Sequence, residues 1–317
     1  MIKKFDFDFI KNTEQLLKQH NLGNKKLLVG VSGGVDSVVL FHHLLKVSDK
    51  LPLDISVCYV HHGISADEKQ NKYRDRAFSF VKRLAEENRI PFFTNDPKKN
   101  KSSDEEYFRN LRNDFFVSTM SENKIDILLK AHHRDDLLET RLIRLIRGVG
   151  DQGFESMTEF NGEIFRPLLT WSREEIENYA KKYQLDFVKD PSNKDGKYFR
   201  NWIRNSWLKD LEAYRPGAKS SLTRSLENIS QMLKADSGCD FSATIDKSGI
   251  IRSKLILLNK LDQRRVFAFY LNKMNVKNYS HSHIDEILKR LDSSKKALTF
   301  HVMGCDWVVD TEHISIK

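Results

Sequence analysis

Cysteine is scarce in this sequence: Cys58, Cys239 and Cys305 are the only three in 317 residues, and no two form a CxxC pair. Thiols so few and so far apart argue against a disulfide framework and against a zinc or iron–sulfur centre. Cys58 lies in the apolar run LDISVCYV and reads as a core residue. No apolar stretch approaches the length that spans a bilayer. The N-terminus MIKKFDFDFIKNTEQ puts acids where a secretory signal needs an unbroken apolar segment. Internal repeats and low-complexity segments are also lacking. These absences lead us to expect a reduced, cytoplasmic protein without membrane contact.

What is present suits real hydrophobic cores under a highly charged surface. Hydrophobic residues make up 39% of the chain, aromatics 10% and charged residues 31%, and the mean hydropathy is −0.54. The 53 basic residues outnumber the 44 acidic ones, leaving a net charge of +9. Such an excess is either a solvated basic surface or the electrostatic footprint of a polyanionic partner. Charge alone does not decide between them.

Apolar strands alternate with amphipathic helices over the first two thirds of the chain. KKLLVGV (25–31) and LDISVCYV (53–60) read as buried strands, and DSVVLFHHLLKV (36–47) and residues 67–88 as helices. IPFFT follows, then a helix near 103–122, the strand IDILLKA (125–131) and a helix from Asp135 to about Arg147. This alternation predicts an α/β fold, a doubly wound parallel sheet covered on both faces. Residues 148–215 are more irregular, with one helix near 172–183. YRPG (214–217) is a strong breaker and marks an expected division. Residues 1–215 then form the main domain, 216–240 a linking helix, and 241–317 a smaller α+β domain closed by two or three antiparallel strands.

Between the first strand and the first helix stands SGGVDS: Ser32, Gly33, Gly34, Val35, Asp36 and Ser37. A helix start exposes backbone N–H groups and the positive end of the helix dipole, which together attract an anion. Gly33 and Gly34 permit positive φ and close approach of a bulky group, and the two serines add hydroxyls. An ordinary glycine turn with Asp36 or Ser37 as helix cap would look similar. The full motif after a buried strand favours a nucleotide site. It is not a Walker A loop, because GK[ST] is missing.

AHHRDDLLET (131–140) follows the strand at 125–131. In a helix starting near Arg134, Asp136 and Glu139 share one face. Acids in a first helical turn have a plain role against the dipole. Here they gather with Asp135 beside His132 at the carboxyl end of a strand, where open α/β sheets bind ligands. Oxygen-rich and poor in cysteine, the set suits Mg²⁺, with Asp36 and Asp136 as metal candidates, or equally an ammonium group.

SGGVDS after a buried strand resembles the PP-loop family of N-type ATP pyrophosphatases. The resemblance implies ATP cleaved between its α and β phosphates, with AMP transferred to an acceptor oxygen. VHHGIS (60–65), EEYFRNLRNDFF (105–116), RGVGDQGFESM (147–157) with RPLL (166–169), and DPSNKDGKYFRNWIRN (190–205) extend the likeness. Taken alone, the last is a capped loop entering a helix, with Arg200 and Arg204 a solvated pair. In this order the motifs resemble the bacterial tRNA(Ile)-lysidine synthetases from about residue 25 to 215, and more weakly beyond.

That likeness implies adenylation of the C2 oxygen of the wobble cytidine in an isoleucine tRNA with a CAU anticodon. The ε-amine of free lysine then displaces AMP to give lysidine. The implied ATP site is Ser32 to Ser37, and the implied cofactors are ATP and Mg²⁺. His132, Asp136 and Glu139 would lie at the reacting groups, with Arg112 and Arg204 neutralising negative charge. Asp190 would help hold the lysine, and Asn193, Arg200 and Arg109 complete the substrate set. Tyr198, Phe199 and Trp202 are candidate base readers or core residues. The smaller domain would grip tRNA, and a homodimer is left open. The chain resembles the shorter form of the family. Cytidine thiolation uses the same loop but needs cysteines. Amide-forming relatives leave the 190–205 motif unexplained, and a non-catalytic tRNA binder leaves the acids unexplained.

Overall fold

Leu27, Leu28 and Val29 are wholly buried in the first strand, as expected for a strand covered on both faces. The computed structural model describes residues 2–97, 105–148, 157–191, 199–236, 241–276, 279–292 and 297–317. The chain divides into two compact units, one of residues 1–137 and 158–206, the other of residues 138–157 and 207–317.

In the first unit, α1 (Ile2–Gln19), β1 (Lys26–Gly30), α2 (Val35–Ser48), β2 (Asp54–Tyr59), α3 (Glu68–Glu87) and β3 (Phe92–Thr94) follow one another. Then come α4 (Glu105–Asn123), β4 (Ile127–Leu129), α5 (Arg134–Ile146), β5 (Ile164–Phe165) and α6 (Arg173–Lys182), with α5 running on into the second unit. The five strands are parallel in the order β3-β2-β1-β4-β5. Leu27 and Val29 join the larger apolar cluster on one face, with α1, α2, α3 and α6. Leu28 joins Cys58, Phe116, Ile125 and Leu128 on the other, where α4 lies. The chain steps outward from β1 to β3, then returns through α4 to β4 on the opposite side of β1. The direction of winding therefore reverses between β1 and β4, and the crevice at their carboxyl ends is the ligand-binding position of open α/β sheets.

The second unit carries α7 (Leu208–Tyr214) and α8 (Ala218–Asp236), then β6 (Ile250–Ile251), α9 (Lys260–Lys273) and α10 (His281–Asp292). Strands β7 (Leu298–Val302), β8 (Cys305–Val309) and β9 (His313–Ile316) close it in an antiparallel sheet of order β6-β9-β8-β7. Val302 pairs with Cys305 across a two-residue turn in which Met303 and Gly304 both have positive φ, the backbone that matches strand twist. Trp307 is fully buried against the rings of Phe267, Tyr270 and Phe300. The expected α+β character of this region holds.

Candidate active site

The loop from Val31 to Gly34 is held open by its own serines. The Ser32 N–H donates to Ser37 Oγ at 3.1 Å, and the Ser37 hydroxyl donates to the Gly34 carbonyl at 2.8 Å. With that proton committed, Ser32 Oγ is the donor across the 3.2 Å separation of the two hydroxyls. Gly33 has φ +84°, and its carbonyl accepts from the Val188 N–H at 2.9 Å. Helix α2 begins at Val35 with no side-chain cap, so its first-turn amides point into the crevice mouth. Glycine backbone, open helix start and internal serine staple together make an anion cradle.

Asp36 in the first turn of α2 faces the β4–α5 connection. Its Oδ2 accepts from Arg173 Nη1 at 2.7 Å, and its Oδ1 lies 3.9 Å from His133 Nε2. Oδ1 is buried without a hydrogen-bond partner among the described residues. Burial raises the Asp36 carboxyl above the usual range, against the pull of His133 and Arg173. Asp136 continues the chain of contacts: Oδ2 accepts from the His133 N–H at 3.1 Å, and Oδ1 accepts from Arg204 Nη2 at 2.8 Å. Burial alone would push Asp136 up; His133 and Arg204 instead hold it below the usual carboxylate range. Arg204 sits in a π-helical turn, Ile203–Trp207, a distortion frequent at functional sites.

Arg173 is placed by its own helix start. Ser172 and Glu175 form a reciprocal capping box, and the Arg173 N–H also donates to Asp135 Oδ2 at 3.3 Å. A single network, Arg173–Asp36–His133–Asp136–Arg204, thus joins residues from three distant motifs and the start of α6. His133 and Arg173 were not singled out by sequence reasoning. His133 is the second histidine of AHHRDD, and Arg173 follows a serine with glutamate three residues on, so a capping signal was there to be read.

The other expected site residues are distributed as follows. His132 is half-buried, and burial lowers it to about 4, with Asp136 opposing and Arg166, Lys130 and Arg200 assisting. Glu139, one turn after Asp136 on α5, is 1% exposed. Arg109 is exposed on α4 and Arg112 partly so; the charge of Arg112 bears on His62 and Lys130. Asp190 is half-buried and accepts a hydrogen bond from the Tyr73 hydroxyl of α3. Arg200 acts on His132. Phe199 and Trp202 are exposed and stacked, their ring planes 10° apart at 5.9 Å. Asn193 and Tyr198 lie outside the described residues, as do Cys239 and most of the 147–157 motif.

Burial lowers five histidines of this unit, His42, His43, His61, His62 and His132, three of them far enough to stay neutral well into the acid range. Burial lowers His43, bonded to Thr13 Oγ1 at 2.8 Å, to about 3, and His62 likewise to about 3, beside His132 at about 4. Unfolding at pH 4 to 6.5 therefore takes up protons, and stability present above pH 6.5 is lost as pH falls. Each group contributes a slope of up to about 1.4 kcal/mol per pH unit. Melting temperature should fall steeply over this interval. His43→Gln, which can keep the bond to Thr13, should flatten the slope by about one proton. Superimposable profiles for the two proteins would contradict the assignment.

A family model described as a PP-loop domain matches residues 6–211. The tRNA(Ile)-lysidine synthase of Bdellovibrio bacteriovorus is 39% identical over 319 aligned positions, covering 100% of this chain and 99% of that protein. The tRNA(Ile)-lysidine synthase of Thermosipho africanus is 35% identical over 223 positions, 68% of this chain and 51% of that longer protein. Among solved structures, the U34-tRNA thiolase NcsA from Methanococcus maripaludis, with its [4Fe-4S] cluster, superposes with a TM-score of 0.55. It covers 75% of this chain and 86% of its own at 22% identity, a likeness of fold. The glycine loop after β1, the acidic helix after β4 and the full-length likeness converge: the chain belongs to the PP-loop family and, within it, to the tRNA(Ile)-lysidine synthases.

Proposed function

We propose that this ATP-dependent ligase adenylates the C2 oxygen of the wobble cytidine in a tRNA(Ile) with a CAU anticodon, and that free lysine then displaces AMP to form lysidine. The observation that carries this reading is the contact chain that ties Asp36 of the phosphate loop to Asp136 and Arg204. Through it an anion cradle, an ionised acid and a cation share one crevice. Residues 32–37 take the pyrophosphate, the Ser32 N–H being already given to Ser37 Oγ within the loop. Arg204, with Arg112, stabilises negative charge that builds up as the phosphate–oxygen bonds change, and stabilisation of this kind is often the main source of rate enhancement.

Lysine arrives as an ammonium and attacks as an amine. Asp136, held ionised, attracts it, and Glu139 and Asp190 share the work of placing and deprotonating it. His132 is neutral at physiological pH and is free to exchange a hydrogen bond with the base. Asn193, Arg200 and Arg109 contact the substrates, and the stacked rings of Phe199 and Trp202 offer a surface for a splayed anticodon base. The buried Asp36 Oδ1, without a hydrogen-bond partner among the described residues, suits Mg²⁺, which is held by one or two carboxylates and substrate phosphates. Asp36, with Asp136, would hold the ion, which when bound neutralises phosphate charge. Residues 1–215 carry the chemistry, 216–240 link, and 241–317 grip the tRNA, in the cytoplasm. No described helix is long and apolar enough to cross a membrane.

The test is incubation with ATP, labelled lysine and an unmodified CAU-anticodon tRNA, followed by nucleoside analysis. Labelled lysidine should form with matching AMP and pyrophosphate, and omitting tRNA or lysine should abolish it. Turnover of ATP without label in the nucleoside would refute the reading.

A further inference from the structure

Strands β4 and β5 pair Leu129 with Phe165, so the next residues, Lys130 and Arg166, stand side by side at the carboxyl end of the sheet. The Lys130 N–H donates to the Phe165 carbonyl at 3.0 Å, which fixes that juxtaposition. Arg166 is only 8% exposed. One terminal nitrogen donates to the Thr158 carbonyl at 2.8 Å, while its Nε is buried and has no hydrogen-bond partner among the described residues. Lys130 Nζ lies 5.1 Å from the centroid of the Phe116 ring and 3.4 Å from Asn113 Oδ1. Neither cation has a carboxylate partner among the described residues.

Two adjacent positive groups, Arg166 enclosed and Lys130 half-buried, are costly to hold together unless an anion joins them. Burial and then the charges of Arg166, Arg112 and Arg109 lower Lys130 to about 8. The field of the pair also reaches His132. An RNA phosphate would meet exposed cations such as Arg109 first, since a polymer backbone does not reach a side chain as enclosed as Arg166. A small carboxylate does. An amino acid whose far ammonium is drawn to Asp136 presents its carboxylate toward the opposite charge.

We propose that Lys130 and Arg166 form the subsite for the α-carboxylate of the free lysine substrate, so that its ε-amine is directed toward His132 and Asp136. This subsite rests on the ligase reading. It makes the pair a specificity device: an amine lacking the carboxylate leaves both cations unpaired.

The experiment compares lysine with 1,5-diaminopentane as acceptor amine, using the full chain, ATP and CAU-anticodon tRNA. Wild type should prefer lysine by about 100-fold or more in kcat/KM, the discrimination expected where buried polar groups are left unpaired. Lys130→Met should raise the KM for lysine by about 10-fold or more and shrink the preference in proportion, with the KM for tRNA within about twofold. Lys130→Arg should retain the preference. The ratio is measured within each protein, so a partly unfolded variant does not distort it. An unchanged preference in Lys130→Met overturns the subsite, as does a raised KM for tRNA with the preference kept, which would assign the pair to RNA phosphate. If wild type makes no lysidine, the ligase reading fails instead.

Discussion

Replacing Asp136 with Asn should lower lysidine turnover by about 10³-fold, within the range lost when a positioned acid–base group is removed. Asp136 accepts from two donors, the His133 N–H and Arg204 Nη2. Asparagine has one oxygen to offer them, and its amide must face a donor on the other side. Arg204 then leaves its position, and the charge that attracts the incoming ammonium is gone. Stability should change little by comparison. Arg204 is about one third exposed and can turn to water, and a first-turn acid is worth about 0.3–1 kcal/mol to its helix. A melting temperature only a few degrees lower, beside a collapsed kcat, is the expected pair of results. Wild-type turnover in Asp136→Asn would remove this carboxylate from the mechanism.

The reach of sequence reading depends here on where each signal is stored. Buried parallel strands announce themselves as apolar runs, so β1, β2 and β4 were legible, and with them the two connections that form the crevice. SGGVDS was legible because two glycines and a helix start have few other uses at that point. Strands β3 and β5, of three and two residues, are too short to carry a period. Helix α1 was hidden by FDFDF, which alternates with a period of two, as a strand would. Arg173 lies 137 residues from the Asp36 it holds, and no local pattern encodes such a partner. Lys130 and Arg166 look like any cation at the end of a strand until the sheet sets them side by side. For Arg204, sequence pattern allowed a solvated pair with Arg200; the fold gives it Asp136 instead.

Gly34→Val should separate nucleotide binding from folding. Gly34 has φ −74° and ψ 159°, an extended backbone open to any residue. Among the described residues a Cβ there meets only Ser32 Oγ, at 3.5 Å, so the substitution fits the ligand-free protein at about 1 kcal/mol for a poorer helix cap. The valine methyl groups, however, would stand over the first-turn amides of α2, where the phosphates are to seat. ATP affinity should fall by about 100-fold or more, since overpacking and the loss of charge-assisted bonds act together. Gly33→Ala should give the opposite balance. At φ +84° a side chain costs about 1–2 kcal/mol in backbone strain, yet its Cβ would rest at ordinary contact distance, 3.5 Å from Ala77 and Val81 on the packed side of the loop. Calorimetric titration with ATP and thermal melts on both variants read the two effects independently. Wild-type ATP affinity in Gly34→Val would mean that the triphosphate seats elsewhere, and the contact chain from Asp36 to Arg204 would then lose its nucleotide.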